Sequence, residues 1–135
     1  MLTIEKVLIL SEVDIFRGLS GESLSEVAAV AEEMEVAEGE TIMAKGELCS
    51  TMYAIVTGSA RVQDGDRVLA EYGRGQALGA SSALDPGERS TTTTATEPCL
   101  LLKIEHEDLF DLISEDVDLA KAIIRSLSRR LKGGA

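Results

Sequence analysis

Tryptophan is absent from this chain of 135 residues, histidine occurs once, and cysteine, proline, tyrosine and phenylalanine occur twice each. Each shortage closes a class of function. A single histidine, His106, cannot furnish a histidine-rich metal site, so no metal is expected, and it weakens every histidine-based catalytic scheme. Cys49 and Cys99 lie far apart with no Cys-x-x-Cys spacing, which points to two free thiols packed as small hydrophobes in strands. No apolar run approaches the roughly 18 residues of a membrane span. The opening MLTIEKVLILSEVD sets acids within and after a short apolar stretch and has no small-residue cleavage site. No secretion signal is expected there, and the cytoplasm is the expected location. Positive charge is scarce too: 13 bases against 24 acids give a net −11. Such a surface repels nucleic acid and anionic membranes, and it admits an anionic ligand only where cations are focused locally.

What is present fits one soluble domain, with 44% hydrophobic and 27% charged residues. Three stretches are expected: a helical lead-in at 3–33, a β-roll at 34–105 and C-terminal helices at 106–132. In the first, Ile4, Val7, Leu8 and Leu10 recur at helical spacing. Ile15, Phe16 and Leu19 form an apolar turn, Ser20 can cap the next helix, and Ser23 with Glu26 has capping-box spacing. Leu24, Val27, Ala28 and Ala31 give that helix one buried face. After Met34 the period changes to two, in short strands broken at Gly39, Gly46, Gly58, Gly65 and Gly73. Asp64-Gly65 marks a tight hairpin. The spacing of these turns implies an antiparallel roll or barrel, and STTTTATEPCLLLKIE supplies two further strands. At the end, Leu109, Leu112 and Ile113 share one helical face. Val117, Ala120, Ile124, Leu127 and Leu131 then form a narrow stripe, either packed on the chain's own barrel or serving as a dimer seam. Arg125, Arg129, Arg130 and Lys132 crowd the end of that helix, where cations suit the macrodipole.

Between roll and last strands lies GQALGASSALDPGERSTTTTAT, residues Gly75 to Thr96. Gly79, Ala80, Ser81 and Ser82 read as a turn that bares backbone N–H groups at a short helix start, and Arg89 as the matching cation. Alternate threonines from Thr91 to Thr94 must point inward if the run is a strand.

The order of helix, β-roll, small-residue turn, arginine, strands and helix pair resembles the cyclic-nucleotide-binding domain family, from about Ile15 to Leu131. This is the module of catabolite-activator regulators and of protein-kinase regulatory subunits. FRGLSGESLSEVAAVAEEMEVAEGETIMAKGE and YAIVTGSARV, with Gly58 at its turn, carry the likeness. The resemblance implies a mainly β fold with flanking helices: an antiparallel β-roll of the double-stranded β-helix or jelly-roll kind, with N-terminal helices and a C-terminal helix pair. It also implies a phosphate-binding cassette, with Gly79 at the glycine position and Arg89-Ser90-Thr91 at the arginine end. The family's glutamate, which accepts the ribose 2′-hydroxyl and orients the arginine, is replaced by Ala80. A weakened site is therefore expected, with cAMP or cGMP, or another small anion, as the ligand and no other cofactor. Its contacts would be Gly79, Ala80, Ser81, Ser82, Arg89, Ser90 and Thr91. Alternatively Glu88, Asp85 or another acid folds back to neutralise Arg89.

The expected function is a non-catalytic sensor that relays binding through the C-terminal helices, whose Leu, Ile and Ala side chains would cover the ligand. A rival is a ligand-free interaction domain of the same fold that dimerises, or docks on a companion domain, through the Val117–Leu131 stripe. GASSA approaches a nucleophile elbow but ends in alanine, and its only base, His106, is expected on the surface, so no catalytic residue is assigned. Family members that bind DNA carry a helix-turn-helix after the last helix. With a net charge of −11, direct DNA binding by this chain is not expected.

Overall fold

Period-two burial organises the middle of the chain, which a computed structural model describes from residue 1 to residue 134. Ten short strands result: β1 (Glu32–Val36), β2 (Thr41–Met43), β3 (Leu48–Cys49), β4 (Thr51–Thr57), β5 (Ala60–Asp64), β6 (Arg67–Tyr72), β7 (Ala77–Leu78), β8 (Gly87–Glu88), β9 (Thr92–Ala95) and β10 (Cys99–Glu105). They pair antiparallel in two four-stranded sheets, ordered β1-β10-β4-β7 and β2-β9-β5-β6, with β3 and β8 as a small third ladder. The antiparallel β-roll with flanking helices is the architecture read from the sequence. Its first strand begins at Glu32, two residues before the expected change of period.

The helices are α1 (Thr3–Glu12), α2 (Gly21–Val30), α3 (Ala80–Leu84), α4 (His106–Glu115) and α5 (Val117–Gly134), with a single 3-10 turn at Asp14–Phe16. Strands β4 and β10 read as near-continuous apolar runs because both of their faces are covered. Met52, Ala54, Val56, Leu102 and Ile104 meet the helices, in a cluster with Leu10, Phe16, Val27, Leu109 and Leu119. Tyr53, Ile55, Cys99 and Leu101 turn the other way, into the roll, against Val36, Met43, Leu78 and Ala95.

Local chemistry sets the connections. Ser20 caps α2 by accepting the Ser23 N–H. The capping box expected of Ser23 and Glu26 does not form, because the Ser23 hydroxyl instead donates to Asp116 at 2.7 Å, tying α2 to the α4–α5 junction. The β5–β6 loop is Gly65-Asp66, one residue later than expected, since Asp64 still pairs with Arg67. Gly58, at φ +96, turns β4 into β5 beneath the Pro98–Cys99 corner, where any Cβ would strike the Pro98 carbonyl and sit 2.9 Å from Cys99 Cα.

Two helical faces differ from expectation. On α1 the buried residues are Ile9 and Leu10, whereas Ile4 and Leu8 are exposed. On α5 the buried face is Leu119, Ala122, Ile123 and Ser126. The expected stripe faces away from the roll: Val117, Ile124, Leu127 and Leu131 are exposed and Ala120 is half-buried. Packing on its own roll is therefore not that stripe's role.

Candidate functional site

The turn that opens α3 is built around a position only glycine can fill. Gly79 has φ +73, and a Cβ there would lie 2.9 Å from the Thr51 carbonyl oxygen and 3.0 Å from the Met43 sulfur. The chain thus passes close against β4, and the next side chain, Ala80, is buried. The Ser82 N–H, expected to be bared, donates to the Gly79 carbonyl at 3.0 Å and is consumed by the turn itself.

Arg89 is fixed from the opposite side. The β3–β8 ladder brings it back beside Gly46 and Glu47, where its carbonyl accepts from the Gly46 N–H at 2.8 Å and its own N–H donates to Glu47 at 2.9 Å. With the backbone clamped, the side chain runs inward. Its Nη1 donates to Ser82 Oγ and its Nη2 to Thr91 Oγ1, each over a long 3.4 Å. The buried Nε has no partner. Among the described residues no carboxylate lies within ion-pair distance of this guanidinium. The alternative of a return by Glu88 or Asp85 does not occur: both are exposed and neither pairs with Arg89.

Beside Arg89 lies a cavity of about 370 Å³, walled by Met43, Val62, Leu78, Gly79, Ala80 and Thr93, with Ser81, Tyr72 and Arg130 at its polar edges. Thr93 is fully buried and its hydroxyl has no hydrogen-bond partner. Two residues that line one cavity thus each hold a buried polar atom without a partner, and buried polar groups ordinarily find partners. Ser90 is exposed on the turn and is not part of this wall. Thr91 touches the site only through Arg89.

Sequence reasoning did not single out Thr93, Tyr72 or Arg130. Strand parity was the available signal for Thr93, since β9 buries alternate residues, Thr93 and Ala95. Arg130 gave none, because a cation near a helix end satisfies a simpler explanation. In the structure Arg129 and Arg130 lie 3.7 Å from Asp14, which also accepts the Ser126 hydroxyl at 2.7 Å. That hydrogen bond, with help from Arg129, Arg130 and Arg17 and against the effect of burial, holds the Asp14 carboxyl below its ordinary range. Arg130 is the residue of α5 that lines the cavity; the cover by Leu, Ile and Ala side chains is expected on closure over a bound ligand. His106, expected on the surface, is half-buried. Its Nδ1 lies 2.6 Å from the Ala83 carbonyl and its ring packs 4.3 Å from Phe110, joining α4 to α3.

Comparison with known proteins agrees with this fold. Residues 33–116 match the family described as "Cyclic nucleotide-binding domain". The chain is 30% identical over 123 residues to the Cyclic AMP receptor protein of Thermus thermophilus, covering 87% of this chain and 57% of that protein. It is 24% identical over 129 residues to a CRP-like cAMP-activated global transcriptional regulator of Mycobacterium tuberculosis, covering 92% and 58%. Among solved structures, the N-terminal domain of a transcriptional regulator from Streptomyces coelicolor superposes with a TM-score of 0.83 at 29% identity, over 93% of this chain and 91% of that one. The chain spans under three-fifths of the length of the two curated regulators.

Proposed function

The chain belongs to the cyclic nucleotide-binding domain family, and on that premise we propose that it is a non-catalytic sensor of a small anionic nucleotide of the cAMP or cGMP type, held in the Arg89 cavity. One observation carries the reading: Arg89, with an unpartnered, buried Nε and no carboxylate partner, lines the same cavity as Thr93, whose buried hydroxyl is also unpartnered. A cation in that setting is costly unless an anion joins it. A cyclic phosphate supplies one negative charge and exocyclic oxygens for Arg89, with Ser81, Ser82 and Thr93 close by.

Ala80 sets the strength. Without a carboxylate at residue 80, one charge-assisted hydrogen bond of about 1.5–3 kcal/mol is missing, a loss of roughly ten- to a hundredfold in affinity. Binding is relayed outward through contacts that already join the cavity to the C-terminal helices: His106 to Ala83 for α4, and Arg130 for α5. Titration calorimetry with cAMP and cGMP tests the proposal. Arg89→Ala abolishes binding and Ala80→Glu strengthens it by about ten- to a hundredfold. Absence of heat and of any thermal shift at millimolar nucleotide, in both the wild type and Ala80→Glu, rejects it.

A second reading rests on the exposed α5 stripe, where Val117 is 66%, Ile124 65% and Leu131 75% exposed. A contiguous apolar face of this kind suits self-association, or docking on a companion domain. Sedimentation of wild type and Ile124→Glu separates the cases: a dimer that the charge dissociates supports it, and a wild-type monomer at all concentrations removes self-association.

A further inference from the structure

We infer that Thr93 is a ligand contact at the nucleoside end of the Arg89 cavity, its hydroxyl forming a hydrogen bond with the base while Arg89 holds the phosphate. The inference rests on the nucleotide-sensing reading above and deepens it.

The cavity has two unlike ends. At one, the Arg89 guanidinium meets the hydroxyls of Ser82 and Thr91. The other is a single rung of the sheet. Thr93 in β9 pairs with Met43 of β2 on one side and with Val62 of β5 on the other, and all three line the cavity. Thr93 stands two residues beyond Thr91, which in extended chain is a span of about 7 Å. A nucleotide whose phosphate sits on Arg89 therefore carries its sugar and base toward this largely apolar rung.

Thr93 is the polar member of the rung, and its hydroxyl differs from those around it. The hydroxyls of Thr91, Thr92 and Thr96 are engaged by Arg89, by the Lys45 N–H and by Ser59. Thr93 is fully buried and its hydroxyl has no partner. Its ladder neighbours, a methionine and a valine, offer it no strong acceptor. Valine would suit the strand equally well without the cost of an unmet buried hydroxyl. A single χ1 step exchanges the hydroxyl and methyl of a threonine, so the hydroxyl turns to the ligand with β9 in place. It both donates and accepts, and so pairs with either kind of group on the edge of a base.

Two measurements on Thr93→Val are expected to move in opposite directions. Without ligand, the variant melts about 3–10 °C above wild type, because the unmet hydroxyl is gone. In calorimetry with cAMP and cGMP it binds about tenfold more weakly than wild type, whereas Thr93→Ser, which keeps the hydroxyl, stays within about threefold. The methyl riboside 3′,5′-cyclic phosphate, which has no base, is bound by wild type and Thr93→Val within about twofold of each other, read by its displacement of cAMP. A lower melting temperature for Thr93→Val overturns the inference, since the hydroxyl would then have a partner in the ligand-free protein. Unchanged nucleotide affinity in Thr93→Val overturns it by assigning the hydroxyl to water, and so does Thr93→Ser binding as weakly as Thr93→Val. A tenfold loss for the base-free probe moves the contact off the base and overturns it too. In each case cAMP or cGMP binding by the wild type that Arg89→Ala removes leaves the nucleotide-sensing reading standing. If neither nucleotide binds the wild type, it is that reading which fails.

Discussion

Replacing Arg89 with methionine should make the empty protein more stable while ending its capacity to bind an anion. The side chain now places a cation beside a cavity, with its Nε buried and unpartnered. Its two remaining contacts, to Ser82 and Thr91, are both 3.4 Å long and lead to neutral hydroxyls. An unmet buried donor costs about 1–3 kcal/mol, and a cation kept from water without a counter-charge adds to that. Methionine keeps a flexible stem of similar reach and can pack beside Met43, Val62 and Leu78 in the cavity wall. For a chain of 135 residues the entropy of unfolding is about 0.3 kcal/mol per kelvin, so the gain corresponds to a rise in Tm of about 4–10 °C. Differential scanning calorimetry of the ligand-free proteins reads it directly. A lower Tm for Arg89→Met would mean that the guanidinium is a net stabiliser with partners in solution, and the argument for an anion site would lose its energetic basis.

Two other outcomes follow from the same coordinates. Asp14, whose carboxyl is lowered chiefly by the Ser126 hydrogen bond, contributes stability above its ordinary value of 3.8 that is lost as pH falls through the lower folded-state value. Melting temperatures between about pH 5 and pH 2 should therefore fall less steeply for Asp14→Asn than for the wild type, and identical slopes would contradict the assignment. Gly58→Ala puts a Cβ against the Pro98 carbonyl at a positive φ. It should lower Tm by more than about 10 °C, a cost of several kcal/mol, or prevent folding, and a near-native melt would show that the β4–β5 turn can relax.

The roll was legible because its punctuation is physical. Gly39, Gly46, Gly58 and Gly65 all adopt positive φ at turns between strands, and the doubly covered strands β4 and β10 announce themselves as apolar runs. Arg89 stood out for a related reason, being one of few cations in an acidic chain and spaced from a glycine by a short loop. The faces of α1 and α5 were harder to read. On α5 two apolar stripes compete, and four large residues, Val117, Ile124, Leu127 and Leu131, lie on the exposed one against two, Leu119 and Ile123, on the buried one. The buried face uses Ala122 and Ser126, whose hydroxyl is satisfied by Asp14 over a hundred positions away. Counting large residues ranks the wrong stripe first. Arg130 escaped for the complementary reason: its role depends on where α5 crosses the roll, which no local spacing encodes.

Residues 79 and 80 sit side by side yet answer to different demands. The first is held to one amino acid by the backbone of Thr51 and the sulfur of Met43, so it governs the path of the chain. Its neighbour is buried in the helical core cluster and also lines the cavity, so it bears on what that cavity admits without setting the path of the chain. The shape of the receptor can thus persist through exchanges that rewrite its chemical preference, and a lineage carrying this scaffold could change the message it hears by a single codon without rebuilding the ear.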